Sequence, residues 1–167
     1  MTRVVGIDPG LQVTGYGVVE LRPGALEPRL LEGGVIRLPS SKPIAERLVQ
    51  LHEELTAVFD EHQPHRVAVE QVYSHYAHPR TAVLMAHARG VILLAAKLAA
   101  VEVVDVPSTE VKKAVTGYGH ASKQQMQFAV QAQCGLAEPP SPPDVADAIA
   151  IALCDARRCV TVPSVPD

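Results

Sequence analysis

Four carboxylates stand where carboxylates are costly. Asp8 closes the apolar run Val4-Val5-Gly6-Ile7 and is followed at once by Pro9-Gly10. Glu70 closes a second such run, Val67-Ala68-Val69. Asp144 and Asp147 open the apolar stretch that ends at Leu153. An acid at the end of a buried strand must have a partner, because desolvating a bare carboxylate is unfavourable. A divalent cation is one such partner. The backbone of the Pro-Gly turn is another for Asp8, and two separately solvated rim acids is the plain alternative for Asp8 and Glu70. Oxygen ligands without a Cys/His set suit hard cations such as Mg²⁺ or Mn²⁺. Two such ions about 3.5–4 Å apart can hold a scissile phosphate, one activating water and the other stabilising the departing oxygen.

The surrounding elements must bring these acids together. Residues 3–8 read as a strand, residues 13–20 and 29–38 as two more, with a turn at Pro23-Gly24. This is the pattern of an antiparallel meander. Gly15 and Gly17 either admit a ligand closely or relieve crowding in a twisted sheet. From Lys42-Pro43 to Gln63-Pro64, Ile44, Leu48, Leu51, Leu55 and Val58 recur at helical spacing. Residues 66–70 form the strand that ends on Glu70. Neighbouring strands lie about 4.8 Å apart, so adjacent placement would let Asp8 and Glu70 share an ion. Residues 80–100 form a long helix, apolar nearly all round, which is either central or faces a partner chain.

A strand over 101–106 and a helix from Pro107, capped by Ser108 or Thr109, come next. A further helix opens at Ser122-Lys123. Pro139 to Pro143 is a stiff connector into the last helix, where Asp144 and Asp147, three apart, share a face of the first turn. Asp144 could also be that helix's N-cap. Asp155 is eight residues beyond Asp147, about 12 Å along the axis, too far for the same ion.

The totals limit the classes open to the chain. At 167 residues, 47% of them apolar, it is expected to fold as one domain over residues 1–160 with a loose tail at 161–167. No charged leader with an apolar run follows Met1, and residues 81–101 contain His87, Arg89 and Lys97, a poor membrane span. Three cysteines without a CxxC pair suggest reduced cytosolic thiols. The net charge is −3, unevenly spread. Residues 1–72 carry seven Lys/Arg against ten Asp/Glu, residues 73–133 six against three, and residues 134–167 two against five. A basic middle between acidic ends could build a pocket that attracts cations. The loop Tyr73-Ser74-His75-Tyr76-Ala77-His78 could stack on unpaired bases. His75 and His78 have a metal-like spacing, but no Cys or third His accompanies them. Lys123 near a helix start is placed for an anion, or is a solvated surface lysine.

Several motifs together resemble one family. Gly6-Ile7-Asp8-Pro9-Gly10 with Thr14-Gly15-Tyr16-Gly17, Glu70-Gln71-Val72-Tyr73, Ala88-Arg89-Gly90, Val111-Lys112 and Ala146-Asp147-Ala148 look like the RuvC Holliday-junction resolvases, over about residues 3–158. The resemblance implies a ribonuclease-H-like α/β fold: a five-stranded mixed sheet, antiparallel meander first and then parallel strands, flanked by helices. It implies a homodimer that nicks two strands of like polarity at a four-way DNA junction, leaving 5′-phosphate and 3′-hydroxyl ends in recombination and repair. Asp8, Glu70, Asp144 and Asp147 would be the catalytic acids, binding Mg²⁺, with Mn²⁺ able to substitute. Lys112 and Lys123 match DNA-contact positions, and Tyr73 stands where the family places an aromatic near the junction centre. Arg80 and His75 flank it as further DNA-contact candidates. The family works with the RuvA–RuvB branch-migration complex, which implies a cytoplasmic protein and no membrane partner.

The residues leave rivals. An actin-like or sugar-kinase-like ATPase also begins with a Gly-x-Asp-x-Gly strand, but needs a second homologous domain that 167 residues do not hold. A non-catalytic junction binder would have no use for four intact acids. A ribonuclease-H-like nuclease with another nucleic-acid substrate is the nearest alternative.

Overall fold

The structure, a computed structural model, describes residues 1–71 and 79–161. Five strands form one sheet: β1 (Thr2–Asp8), β2 (Val13–Leu21), β3 (Arg29–Arg37), β4 (Arg66–Glu70) and β5 (Glu102–Val106). Their order is β3-β2-β1-β4-β5. The first three pair antiparallel, and β4 and β5 join parallel to β1. The helices are α1 (Ile44–His62), α2 (Pro79–Leu98), α3 (Ser108–Thr116), α4 (Lys123–Cys134) and α5 (Pro143–Thr161). This is the mixed sheet flanked by helices that the motifs imply.

Side chains alternate across a strand, so each strand divides between two cores. On one face Val4, Val19, Ala68 and Val106 pack beneath α5, with α3 and α4 beside it. On the other, Val5, Ile7, Val18, Val67 and Val69 pack against α1 and α2. The same period fixes the acids. Asp8 lies two steps from Gly6 and four from Val4, on the α5 face. Glu70 lies two steps from Ala68, on the same face. The register pairs Ile7 with Val69, so the two acids end neighbouring strands side by side.

The glycines have a use that neither sequence reading supplied. They seat the backbone of α5. A Cβ on Gly15 would come within 2.1 Å of the Asp144 carbonyl oxygen, one on Gly6 within 2.3 Å of the Ala148 carbonyl oxygen, and one on Gly17 within 2.7 Å of Ile149 Cα. Gly6 faces Gly17, and Asp8 faces Gly15, across the β1–β2 ladder. The glycines thus make a trough in the central strands. It lets α5 lie close enough to deliver Asp144 and Asp147 to the end of β1.

The helices depart from the sequence reading in detail. The buried stripe of α1 is Arg47, Leu51, Leu55 and Phe59, while Ile44 is exposed. Arg47 is drawn inward because its guanidinium donates to the Leu11 carbonyl beyond β1. Pro107, not Ser108 or Thr109, is the N-cap of α3. Ser122 caps α4 with Gln125 in a reciprocal capping box. Pro143 begins α5, so Asp144 lies inside its first turn and is not the N-cap. Helix α2 is long and apolar enough to cross a membrane by length and composition. It packs Ala88, Ile92, Ala95 and Ala96 into the second core, and only 22% of its most apolar stretch is buried. Val83, Leu94 and Leu98 remain exposed on it.

Candidate active site

A cleft of about 210 Å³ opens at the ends of β1 and β4. Asp8, Glu70 and Asp147 line it together with Lys112, Lys123 and Ser108. Val111, Ala121, Met126 and Ile151 form its apolar floor and walls. Each charged residue arrives on a different element. Strands β1 and β4 end there, α5 begins there, and α3 and α4 present the lysines from one side. Asp144, one turn before Asp147, is close enough to raise the proton affinity of both Asp8 and Asp147.

The turn after Asp8 is held on both sides. Thr14 Oγ1 donates to the Gly10 carbonyl at 2.5 Å and accepts the Gly10 amide at 3.2 Å. Leu38 N donates to the Gln12 carbonyl at 2.8 Å, and Arg47 reaches the Leu11 carbonyl from α1. The Asp8 side chain therefore does not stand alone as the cap of a loose turn; its loop is braced by other groups.

Charge in the cleft is concentrated. Burial pushes the Asp8 carboxyl up to about 8, and Asp147, Glu70 and Asp144 add to the rise while Lys123 opposes it. Burial raises Asp147 as well, with Lys123 and Lys112 pulling it down and Glu70 and Asp144 pushing it up. Acids so placed need a positive partner to ionise together. Among the described residues the donor set is oxygen only, from separate elements, without Cys or His. That is the chemistry of a divalent hard cation, so these residues fit such an ion.

The sequence-level candidates divide clearly. Asp8, Glu70, Asp147, Lys112 and Lys123 meet in one cleft. Asp144 stands beside it. Arg80 is exposed in the first turn of α2 and does not line the cleft. Tyr73, His75 and His78 lie outside the described residues. Ser108 was not a site candidate in the sequence, where it read only as a cap; its helix start beside Lys112 was the available signal. Asp155 does not line the cleft, in keeping with its spacing. It is fully buried at the other end of α5, where Arg66 Nε lies 3.2 Å from it.

A second group of ligand-type side chains sits elsewhere. One ligand atom from each of Glu32, Glu61 and His62 lies within 4.8 Å of the others. Glu32 is already engaged there, accepting the Tyr16 hydroxyl at 2.6 Å and lying 2.9 Å from His62 Nε2. This group ties β3 to the end of α1.

Comparison with known proteins agrees with this arrangement. The family model described as crossover junction endodeoxyribonuclease RuvC matches residues 4–155. A protein of that name from Rhodopirellula baltica is 51% identical over 153 residues, covering 90% of this chain and 84% of the relative. One from Desulfitobacterium hafniense is 44% identical over 154 residues, covering 92% of each. Among solved structures, T. thermophilus RuvC in complex with a Holliday junction substrate matches with a TM-score of 0.87 and 38% identity, covering 95% of each chain. The yeast mitochondrial Holliday junction resolvase Ydc2 shares the fold, with a TM-score of 0.67 at 14% identity. The match to the family model takes in Asp8, Glu70, Asp144 and Asp147, and the sheet order, the acid-lined cleft and the relatives point the same way: the chain belongs to the RuvC family of crossover junction endodeoxyribonucleases.

Proposed function

We propose that this protein resolves four-way DNA junctions by metal-dependent hydrolysis of phosphodiesters, in recombination and repair of the cell's DNA in the cytoplasm. The observation that carries this reading is the meeting of Asp8, Glu70 and Asp147 in one cleft that Lys112 and Lys123 also line, with Asp144 beside them. The four acids would hold Mg²⁺, or Mn²⁺ in its place, as a pair of ions. Bound there, such ions supply an activated water and neutralise the leaving oxygen. Lys112 and Lys123 attract the phosphate and hold it against the acids, which alone would repel it. The 3′ oxygen departs, leaving 5′-phosphate and 3′-hydroxyl ends.

A four-way junction has near two-fold symmetry, which two identical active sites match best. The exposed apolar residues Val83, Leu94 and Leu98 of α2 are the candidate face for a second copy. Tyr73 would stack near the junction centre, with His75 and Arg80 as lesser contacts. The RuvA–RuvB complex would deliver junctions to the dimer.

The direct test uses purified protein, a labelled four-way junction and a linear duplex of matching sequence, in Mg²⁺, Mn²⁺ or EDTA. Paired nicks in the junction are expected with either ion and none in EDTA, with the duplex cut at least about 100-fold more slowly. Equal cutting of both substrates, or cutting in EDTA, would refute the proposal. Lys123→Ala is expected to slow cleavage about tenfold. It should also flatten the plot of log binding constant against log salt by about 0.9, the share of one phosphate contact. An unchanged slope would make Lys123 a bystander.

A further inference from the structure

Glu70 occupies an exposed kind of position for a residue that must be held still. Strand β4 is only five residues long, and Glu70 is its last. The ladder to β5 runs one step further, with Gln71 N donating to the Val106 carbonyl at 2.9 Å. A carboxylate at the end of a short strand frays unless something fixes the main chain beneath it.

That fixing group comes from the far side of the sheet. Arg89, on α2, donates from Nη1 to the Glu70 carbonyl oxygen at 3.1 Å. Its Nη2 is paired with Asp105 Oδ1, one residue before the end of β5. Alternation places Asp105 on the α2 face, since Val104 and Val106 face α5. One guanidinium thus clasps the ends of two adjacent parallel strands at the level of the acid. It is mostly shielded, with 18% of its side chain exposed, and it is not among the residues lining the cleft.

We infer that Arg89 is a positioning residue for Glu70: its fork, anchored by Asp105, fixes the main chain at the end of β4 and so aims the carboxylate into the cleft. The inference rests on the reading of the cleft given above. A planar fork suits the task, because its two N–H groups hold a carbonyl and a carboxylate at a set angle, which an ammonium cannot do. Displacements of about 0.5 Å are enough to spoil a ligand constellation. Residues that orient metal ligands from behind typically change metal affinity 10–100-fold when removed.

The test compares wild type, Arg89→Met, Arg89→Lys and Asp105→Asn, with Glu70→Gln alongside. Mn²⁺ binding to the DNA-free protein is followed by the loss of the free-ion EPR signal. Cleavage is titrated with Mg²⁺, junction affinity is measured in Ca²⁺, and folding is checked by circular dichroism. Arg89→Met is expected to weaken Mn²⁺ binding about tenfold and to raise the Mg²⁺ half-saturation by a similar factor. Junction affinity should stay within about twofold, and Arg89→Lys should recover part of the loss. If Arg89→Met does not fold, Asp105→Asn is read in its place, with a smaller shift in the same direction expected. A folded Arg89→Met, or failing that Asp105→Asn, with wild-type Mn²⁺ binding and wild-type Mg²⁺ half-saturation overturns the inference. Glu70→Gln separates the two levels. If it keeps full cleavage, the reading of the cleft fails; if it is inactive while the Arg89 variants match wild type, only the positioning role fails.

Discussion

Asp8→Asn is expected to lower junction cleavage by at least about 10³-fold while junction affinity in EDTA is kept. The amide is nearly isosteric, so the turn held by Thr14 and Arg47 has no reason to move. What changes is charge. Asp8 is the most perturbed acid of the cleft, its carboxyl raised to about 8 by burial and by three neighbouring acids. With cations bound, loss of its anion would remove a ligand. In EDTA below about pH 8 the wild-type carboxyl already holds its proton, so the amide leaves the repulsion toward phosphate little changed. Cleavage and equilibrium binding should therefore part company, and full activity in Asp8→Asn would remove Asp8 from the mechanism.

The same residue gives the metal-free protein a pH dependence of known sign. An ordinary aspartate titrates near 3.8, and Asp8 in the fold holds its proton up to about 8. Between those limits the folded chain binds more protons than the unfolded chain, so stability falls as pH rises. Asp147, also raised, adds to the slope in the same direction. Thermal melts in EDTA should show wild type losing stability from about pH 4 to pH 8. Asp8→Asn should lose less, becoming the more stable of the two by at least about 4 °C at pH 8. Parallel curves for the two proteins would show that Asp8 carries no such burden.

Gly15→Ala is expected to damage fold and cleft together. Its new methyl would stand 2.1 Å from the Asp144 carbonyl oxygen and 2.7 Å from the Asp144 carbonyl carbon. Both are helix backbone, which cannot swing aside as a flexible side chain can. Relief requires the start of α5 to lift off the sheet. Overpacking of this kind costs about 3 kcal/mol, or roughly 6–12 °C in melting temperature for a chain of this size. Because Asp144 and Asp147 ride on the displaced turn, cleavage should fall about 100-fold even well below the melting temperature. Native activity with a native melt would show that the trough is looser than its contacts imply.

The sequence exposed the acids more readily than the means of aligning them. Each strand was legible because its apolar residues alternate or run together, and Asp8 and Glu70 were conspicuous as charges closing such runs. Asp144 and Asp147 were legible through helical spacing. Lys112 came from the family resemblance alone, while Lys123 also stood out by its place near a helix start, where an anion is favoured. The trough of Gly6, Gly15 and Gly17 was not legible, since a glycine records what is missing and not which backbone fills the space. Arg47 and Arg89 were hidden for a related reason. Each acts on a carbonyl oxygen, and carbonyls are the same at every position of a sequence. Ser108 looked like a cap because Ser before a helical run usually is one; Pro107 took that place, leaving Ser108 to face the cleft.

The chain order of these parts affects what an unfinished molecule can do. Asp144 and Asp147 sit on α5, the last element, while β1 and β4, which carry Asp8 and Glu70, are made long before it. A protein still emerging from the ribosome, or one clipped ahead of Pro143, therefore has only half of the acids. With the roles proposed for these acids, such a fragment would be unable to cut DNA, and that ability would arrive only with the final stretch of translation.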